Sequence, residues 1–155
     1  MSARHPHSST AGVTLLELLF VLGIIGTLVA LAQVSYSSYQ NTVAIAQAVS
    51  DLESISTAIG HGTLMEGFAP PPTLASIGMD GMLDPWGNPY QYINHSTTPK
   101  GKWRKDRFIV PINSDYDLYS MGPDGQSVAP LTAKASQDDI IRANDGAYVG
   151  PASGY

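Results

Sequence analysis

Residues 12–32 read GVTLLELLFVLGIIGTLVALA, and this stretch decides the architecture. From Val13 to Ala32 it holds one charged residue, Glu17, and no proline. Twenty residues in a helix rise about 30 Å, the thickness of bilayer hydrocarbon. A helix apolar on every side suits lipid or the core of a helical assembly. The preceding residues 1–12, MSARHPHSSTAG, are short and polar. An ordinary export signal places its small-residue cut after the apolar stretch. Here the small pair Ala11-Gly12 comes before it. A cut after Gly12 removes the polar leader, makes Val13 the first residue and keeps the whole apolar helix.

Glu17 is the anomaly in this stretch. A carboxylate near bilayer depth costs about 2.5–3.5 kcal/mol on insertion scales, which makes it a functional candidate by default. With the chain starting at Val13, Glu17 lies one helical turn from a new α-ammonium group. That amine, on its own chain or on a neighbour, is one partner for it. The first turn of a helix also favours an anion. A boundary residue reaching headgroups or water is the plainer alternative.

The helix continues beyond the apolar run. Val43, Ala46, Val49, Leu52, Ile55 and Ile59 recur every three to four residues, with polar residues between them. No proline occurs between Val13 and Gly60, and Gly60-His61-Gly62 predicts the stop. A helix from Val13 to Ile59 is about 70 Å long. The chain therefore divides into a leader (1–12), an apolar helix (13–35), its amphipathic continuation (36–60) and a C-terminal domain (61–155). In that domain Ala69-Pro70-Pro71-Pro72 breaks the chain, and Thr73 precedes a helical turn at Leu74–Ile77. Tyr90–Ile93, Phe108–Ile112 and Tyr116–Ser120 are rich in β-branched and aromatic residues and read as strands. A meander of three is too thin to stand alone. Packing on the amphipathic helix completes its core.

Composition narrows the function. The chain has 155 residues, the size of one domain, and a net charge of −5 that argues against general nucleic-acid binding. There are no cysteines, so an exported domain of this kind needs another staple. Lys100, Lys102, Arg104, Lys105 and Arg107 form a basic cluster, read as a solvated loop or as a contact with acidic surfaces of other subunits. No serine sits in G-x-S-x-G, and no phosphate-cradling glycine loop is present. His61 and His95 are isolated and read as surface or loop residues. Trp86 and Trp103 read as core or interface aromatics. The chain reads as a structural protein, not an enzyme.

The run Gly12-Val13-Thr14-Leu15-Leu16-Glu17 followed by apolar residues resembles the signal of type IV prepilins and pseudopilins. The resemblance implies an α+β, type IV pilin-like fold: one long N-terminal helix packed on a small antiparallel sheet of about three strands. It implies that prepilin peptidase cuts between Gly12 and Val13, that Val13 is N-methylated, and that Glu17 pairs with the N-terminal amine of the adjacent subunit. Asp84 to Tyr90, Asp117 to Gly125 and Ser136 to Ile140 are similar to the major pseudopilin of type II secretion systems. In that family the loop after the last strand binds calcium. By position, the ligands are the Asp124 side chain, the Ser136 hydroxyl, the carboxylates of Asp138 or Asp139, and the main-chain carbonyls of Met121 and Gln126. Carboxylates, hydroxyls and carbonyls are the oxygens that calcium takes. The residues alone leave another reading open, in which Pro123-Asp124-Gly125 is a β-turn and Asp138-Asp139 caps a short helix at Ile140–Asn144. The loop 126–135, QSVAPLTAKA, is longer than the family usually has, and either detours around the site or abolishes it. The tail 145–155 wraps the domain through Tyr148 and Tyr155, or frays.

The function implied is that of a pseudopilus subunit: a single-pass inner-membrane protein with its C-terminal domain in the periplasm, assembled into a periplasmic filament that drives protein export. The partners implied are further copies of the chain, minor pseudopilins, prepilin peptidase, an inner-membrane assembly platform, and membrane lipid before assembly. A type IV pilin of a surface fibre for adhesion, motility or DNA uptake is the alternative. A bitopic protein with an unrelated periplasmic domain is a third.

Overall fold

The computed structural model describes residues 12–65 and 69–155, apart from the side chains of residues 34, 35 and 65. Residues 1–11 of the expected leader lie outside them. The chain forms two compact units that meet between Gln40 and Asn41. A single helix, α1 (Leu15–Met65), supplies the described helix of the first unit and enters the second.

Within the first unit, α1 starts where the sequence supplies a cap. Thr14 Oγ1 accepts the Glu17 N–H at 3.2 Å, and the Thr14 carbonyl accepts the Leu18 N–H at 3.1 Å. The cap satisfies one of the free donors that every helix start leaves open. Beyond it the residues are apolar and exposed on all sides, from Leu15 at 82% to Leu31 at 70%. This part of α1 is long and apolar enough to cross a membrane.

The second unit is a four-stranded antiparallel sheet with helix packed on it. Its strands are β1 (Gln91–Asn94), β2 (Tyr116–Ser120), β3 (Ile140–Ala143) and β4 (Tyr148–Pro151), in spatial order β1-β2-β3-β4. The register pairs Tyr92 with Leu118, Tyr119 with Ile141, and Ile141 with Gly150. The apolar seam of α1 is Ala48, Leu52, Ile55 and Ile59, all at or below 1% exposure. It meets Leu74, Tyr90, Tyr116, Leu118 and Ile140. Each fully buried leucine or isoleucine stabilises by about 1.5–3 kcal/mol. Two tyrosines fasten the same face: the Tyr90 hydroxyl donates to Asp51 at 2.8 Å, and the Tyr116 hydroxyl hydrogen-bonds Ser56 at 2.9 Å. Burial, then the Asp51 carboxylate, push the Tyr90 phenol above its ordinary range.

Four expectations change. The seam is set from Ala48 rather than Val43, which is 44% exposed, and Ala46 also faces out. Four and seven residues back from Leu52, Ala48 and Ile45 share its face, whereas Ala46, six back, is turned about 120° from it. Gly60 does not stop α1, which runs on to Met65. Gly62 instead lets a neighbouring segment approach, since a Cβ there would lie 3.2 Å from Ile77. Phe108–Ile112 is not a strand. Pro111 has no N–H for a ladder, and the segment closes only at its ends, where the Asp106 N–H meets the Ile109 carbonyl and the Ile112 N–H meets that of Arg104.

Finally, Ile140–Asn144 is not a capped helix, and the tail does not fray. Ile140–Ala143 and Tyr148–Pro151 are the third and fourth strands, joined by a turn at Asn144–Gly146. Asn144 and Asp145 there have φ of 51° and 55°, and Gly146 has 95°. Asn, Asp and Gly are the residues that accept these values most readily. The Tyr148 hydroxyl donates to the Pro151 carbonyl at 2.7 Å, and the Tyr155 hydroxyl to Asn144 at 2.7 Å.

The shifted seam has a direct test. Leu52→Ala should destabilise the protein by about 2–5 kcal/mol. Val43→Ala should stay within about 0.5 kcal/mol of wild type. Urea unfolding of the detergent-solubilised chain, followed by tryptophan fluorescence, measures both.

Candidate functional site

Two regions carry the site residues expected from the sequence, and each belongs to its own unit. In the first unit Gly12, Val13 and Thr14 precede the helix without regular structure. Val13 is 71% exposed. Glu17 lies in the first turn of α1 and its side chain is exposed among exposed leucines. Thr14 and Glu17 thus stand in the T-x-x-E spacing that favours a helix start. The arrangement leaves the carboxylate on the surface of an apolar rod, available to a partner outside the unit.

In the second unit the expected side-chain ligands of calcium are engaged with protein groups. The Asp124 carboxylate accepts the Gln126 N–H at 2.8 Å, closing its own turn. Asp138 Oδ2 accepts the Asp124 N–H at 3.3 Å. The Ser136 hydroxyl is fully buried and engaged with one residue, accepting the Val128 N–H at 2.9 Å and donating to the Val128 carbonyl at 2.8 Å. Asp139 is also fully buried, but it is ion-paired with Arg104 and accepts the Ser127 hydroxyl at 2.6 Å. Among the described residues no three His, Cys, Asp or Glu side chains stand in a metal-binding group. Asp139 and Ser136 face inward to protein partners, and Asp124 faces its own backbone.

This region also contains a set of buried carboxylates that join distant segments. Asp84 Oδ1 accepts the Trp86 and Asn88 N–H groups at 3.1 and 2.8 Å, and its Oδ2 accepts the Ser120 hydroxyl at 2.5 Å. The Asn88 amide reaches across to the Gly122 carbonyl at 3.0 Å. Asp117 accepts from His95 Nε2 at 3.0 Å, from the Arg104 N–H at 2.7 Å and from the Asn113 amide at 3.0 Å. His95, expected at the surface, is therefore buried, and its ring stacks on Trp103 with centroids 4.1 Å apart. Burial pushes the Asp139 carboxyl up, and the Ser127 hydroxyl and the Arg104 charge pull against it.

No family model matches the chain, and no solved structure does. It is 28% identical over 149 residues to the type II secretion system core protein G of Escherichia coli, covering 83% of this chain and 88% of that protein. It is 31% identical over 137 residues to the type II secretion system core protein G of Pseudomonas aeruginosa, covering 75% of this chain and 85% of that protein. The chain belongs to the core protein G family, the G-type pseudopilins of type II secretion.

In this pseudopilin the residue that sequence reasoning missed is Arg104. Grouped with four neighbours as a solvated basic cluster, it is 1% exposed, whereas Lys100, Lys102 and Arg107 are exposed as expected. Nothing in the spacing of the cluster marks it out. Asp145, the first residue of the tail 145–155, carries a role of its own as well. Its carboxylate accepts the Ser114 N–H at 2.7 Å and the Ser114 hydroxyl at 2.9 Å. Partial burial pulls the Asp145 carboxyl up, but the Ser114 hydrogen bonds and the Arg142 charge outweigh it, and the group sits below its ordinary range.

Two predictions follow from the turns of this pseudopilin. Gly122 has φ of 65°, and a Cβ would lie 2.4 Å from the Asp138 carbonyl oxygen. Gly122→Ala should cost more than about 2 kcal/mol, because backbone strain adds to a clash that cannot relax. Gly125 has φ of 64° but faces only the Asn88 side chain, at 3.1 Å. Gly125→Ala should cost about 1–2 kcal/mol, the strain alone. Chemical denaturation ranks the two. For Asp145, a depressed pKa in the folded state gives stability that is present above the unfolded carboxylate value of about 3.9 and is lost as pH falls through the folded value. Asp145→Asn, which tolerates the left-handed backbone, should therefore lower the melting temperature at pH 7. The gap to wild type should close as the pH drops below about 4.

Proposed function

We propose that this chain is a structural subunit of a type II secretion pseudopilus. Prepilin peptidase cuts it between Gly12 and Val13, and Val13 is N-methylated. The apolar half of α1 holds the subunit in the inner membrane, with the second unit in the periplasm. An inner-membrane platform then draws subunits into a periplasmic filament, together with minor pseudopilins, and the filament drives protein export. No step requires the chain to act as an enzyme.

The observation that carries this reading is Glu17, a single carboxylate exposed on the first turn of a helix that is apolar on all sides. In lipid or in a bundle of such helices an unpaired carboxylate is costly. The new α-ammonium at Val13 of a neighbouring copy is the cation that this position offers. Register is then set by one ion pair. A neighbour docked a turn too high or too low buries Glu17 without an amine, and breaking a buried pair costs about 3–5 kcal/mol. Thr14 supports the device by starting the helix at Leu15, which fixes where Glu17 stands relative to the amine.

Mass spectrometry of the chain purified from its native host should show an N-methylated Val13 as the first residue. A mature protein beginning at Met1 would remove the processing step. Glu17→Ala should reduce filament recovered by shearing by more than about tenfold, since one partner of a buried pair is left alone. The unfolding transition of the second unit should be unchanged. Wild-type filament yield from Glu17→Ala would discard the register role.

A further inference from the structure

Residues 107–110, Arg-Phe-Ile-Val, are all exposed, with Phe108 at 87% and Val110 at 67%. Three consecutive apolar side chains left in water mark a contact surface. Other exposed apolar residues of the second unit, Val43, Leu83 and Val128, stand singly. The run is held out as a closed tip. The Asp106 N–H meets the Ile109 carbonyl at 2.9 Å, and the Ile112 N–H meets the Arg104 carbonyl at 3.2 Å. Ile112 roots the tip in the cluster of Leu131, Ile141 and Ala152. That cluster lies on the face of the sheet away from α1, because Ile141 points opposite to Ile140, which meets the seam. A partner on the tip therefore leaves the seam undisturbed.

The same segment carries charge opposite to the rest of the chain. Five of the eight lysines and arginines fall between residues 100 and 107, with Asp106 the one acid among them, in a chain of net charge −5. Arg104 is turned inward, but Lys100, Lys102 and Arg107 are exposed. Between them Trp103 is half-buried, its indole N–H donates to the Thr98 carbonyl at 2.9 Å, and Lys100 Nζ lies 5.8 Å from its ring centroid. A fixed apolar tip is thus joined to exposed cations.

We propose that the loop 100–110 docks on a bilayer with anionic headgroups, the tip Phe108–Val110 entering the acyl boundary while Lys100, Lys102 and Arg107 meet phosphates. The proposal rests on the membrane placement of α1 given above. A lipid surface offers apolar and anionic chemistry side by side, which is what this segment presents. It covers all three apolar side chains at once and meets cations at any spacing. A protein pocket would need an acid placed for each cation. Because α1 runs through both units, the second unit stays tethered to the bilayer that holds the first, and a tether makes weak contacts count. The contact belongs to the subunit before assembly.

The test uses the absence of cysteines, which lets one fluorophore be placed at a chosen site. The full chain, labelled at Val110→Cys, is held as a single copy per nanodisc, and quenching by spin-labelled lipid is measured. In discs containing phosphatidylglycerol the label should be quenched at least about twofold more than in discs of phosphatidylcholine alone, and added salt should reduce the difference. Phe108→Ser, or Lys102→Gln with Arg107→Gln, should bring it down to the phosphatidylcholine level; these exposed sites leave the fold intact. A label at Asp80→Cys, exposed on another loop, should stay unquenched in both. A label at Leu22→Cys, in the apolar run, should be quenched in both. Loss of the Leu22 signal would overturn the membrane placement and this proposal together. A quenched Leu22 label with a Val110 label no more quenched than Asp80, or equally quenched in both lipids, would overturn the docking alone. So would a Val110 label that stays in water in the discs and is shielded only in sheared filaments, the result expected of a second copy as partner.

Discussion

The second unit depends on one face of α1. Four short strands, the longest of five residues, bury too little on their own to fold. Ala48, Leu52, Ile55 and Ile59 supply the missing layer, and Leu118 and Ile140 from the two central strands close on them. From Leu15 to Ala32 the same helix is apolar all round apart from Glu17 and Thr27, and its side chains are exposed. The change from an all-round to a one-sided apolar pattern is therefore the main instruction in the sequence. It assigns one stretch to lipid or to neighbouring helices, and the next to the chain's own sheet.

That instruction was legible because it is written in periodicity. An apolar run of twenty residues followed by three-to-four spacing specifies a long helix without reference to anything distant. The exact face was not legible, because Val43 and Ala46 extend the spacing yet are exposed. Two strands were missed for a different reason. Ile140-Ile141 is β-branched and apolar, and Asn144-Asp145-Gly146 is a strong hairpin signal. Asp138-Asp139, which reads equally as a ligand pair or a helix cap, masks the start of the first. Phe108–Ile112 was read from its side chains alone, although Pro111 lies inside it.

The site was legible only in part, and the division follows the range of the interactions. Thr14 and Glu17 are three residues apart, and their helix start can be read directly from the chain. Arg104 and Asp139 are 35 residues apart, and Asp84 and Ser120 are 36 apart. Whether a charge is solvated or buried depends on what the fold places against it. A basic cluster in sequence therefore does not mean a basic patch in space. Of its five members, the one that is buried is flanked by residues of similar type.

Burying carboxylates is costly unless each is matched, yet this domain buries Asp84, Asp117 and Asp139. Each is the point where separate segments meet. Asp84 joins the 84–88 turn to the end of β2, Asp117 joins residues 95, 104 and 113, and Asp139 joins residue 104 to residue 127. Without cysteines, the loops between strands have no covalent tie. A hydrophobic contact would hold them less specifically, because it does not fix direction. A carboxylate with two or three donors does, and removing any one donor leaves a buried charge under-satisfied. The domain thus uses ionic and hydrogen-bonded knots for loop geometry and the α1 seam for bulk stability. The three buried acids are set against two buried arginines, Arg104 and Arg142, so nearly all of the net charge of −5 stays at the surface.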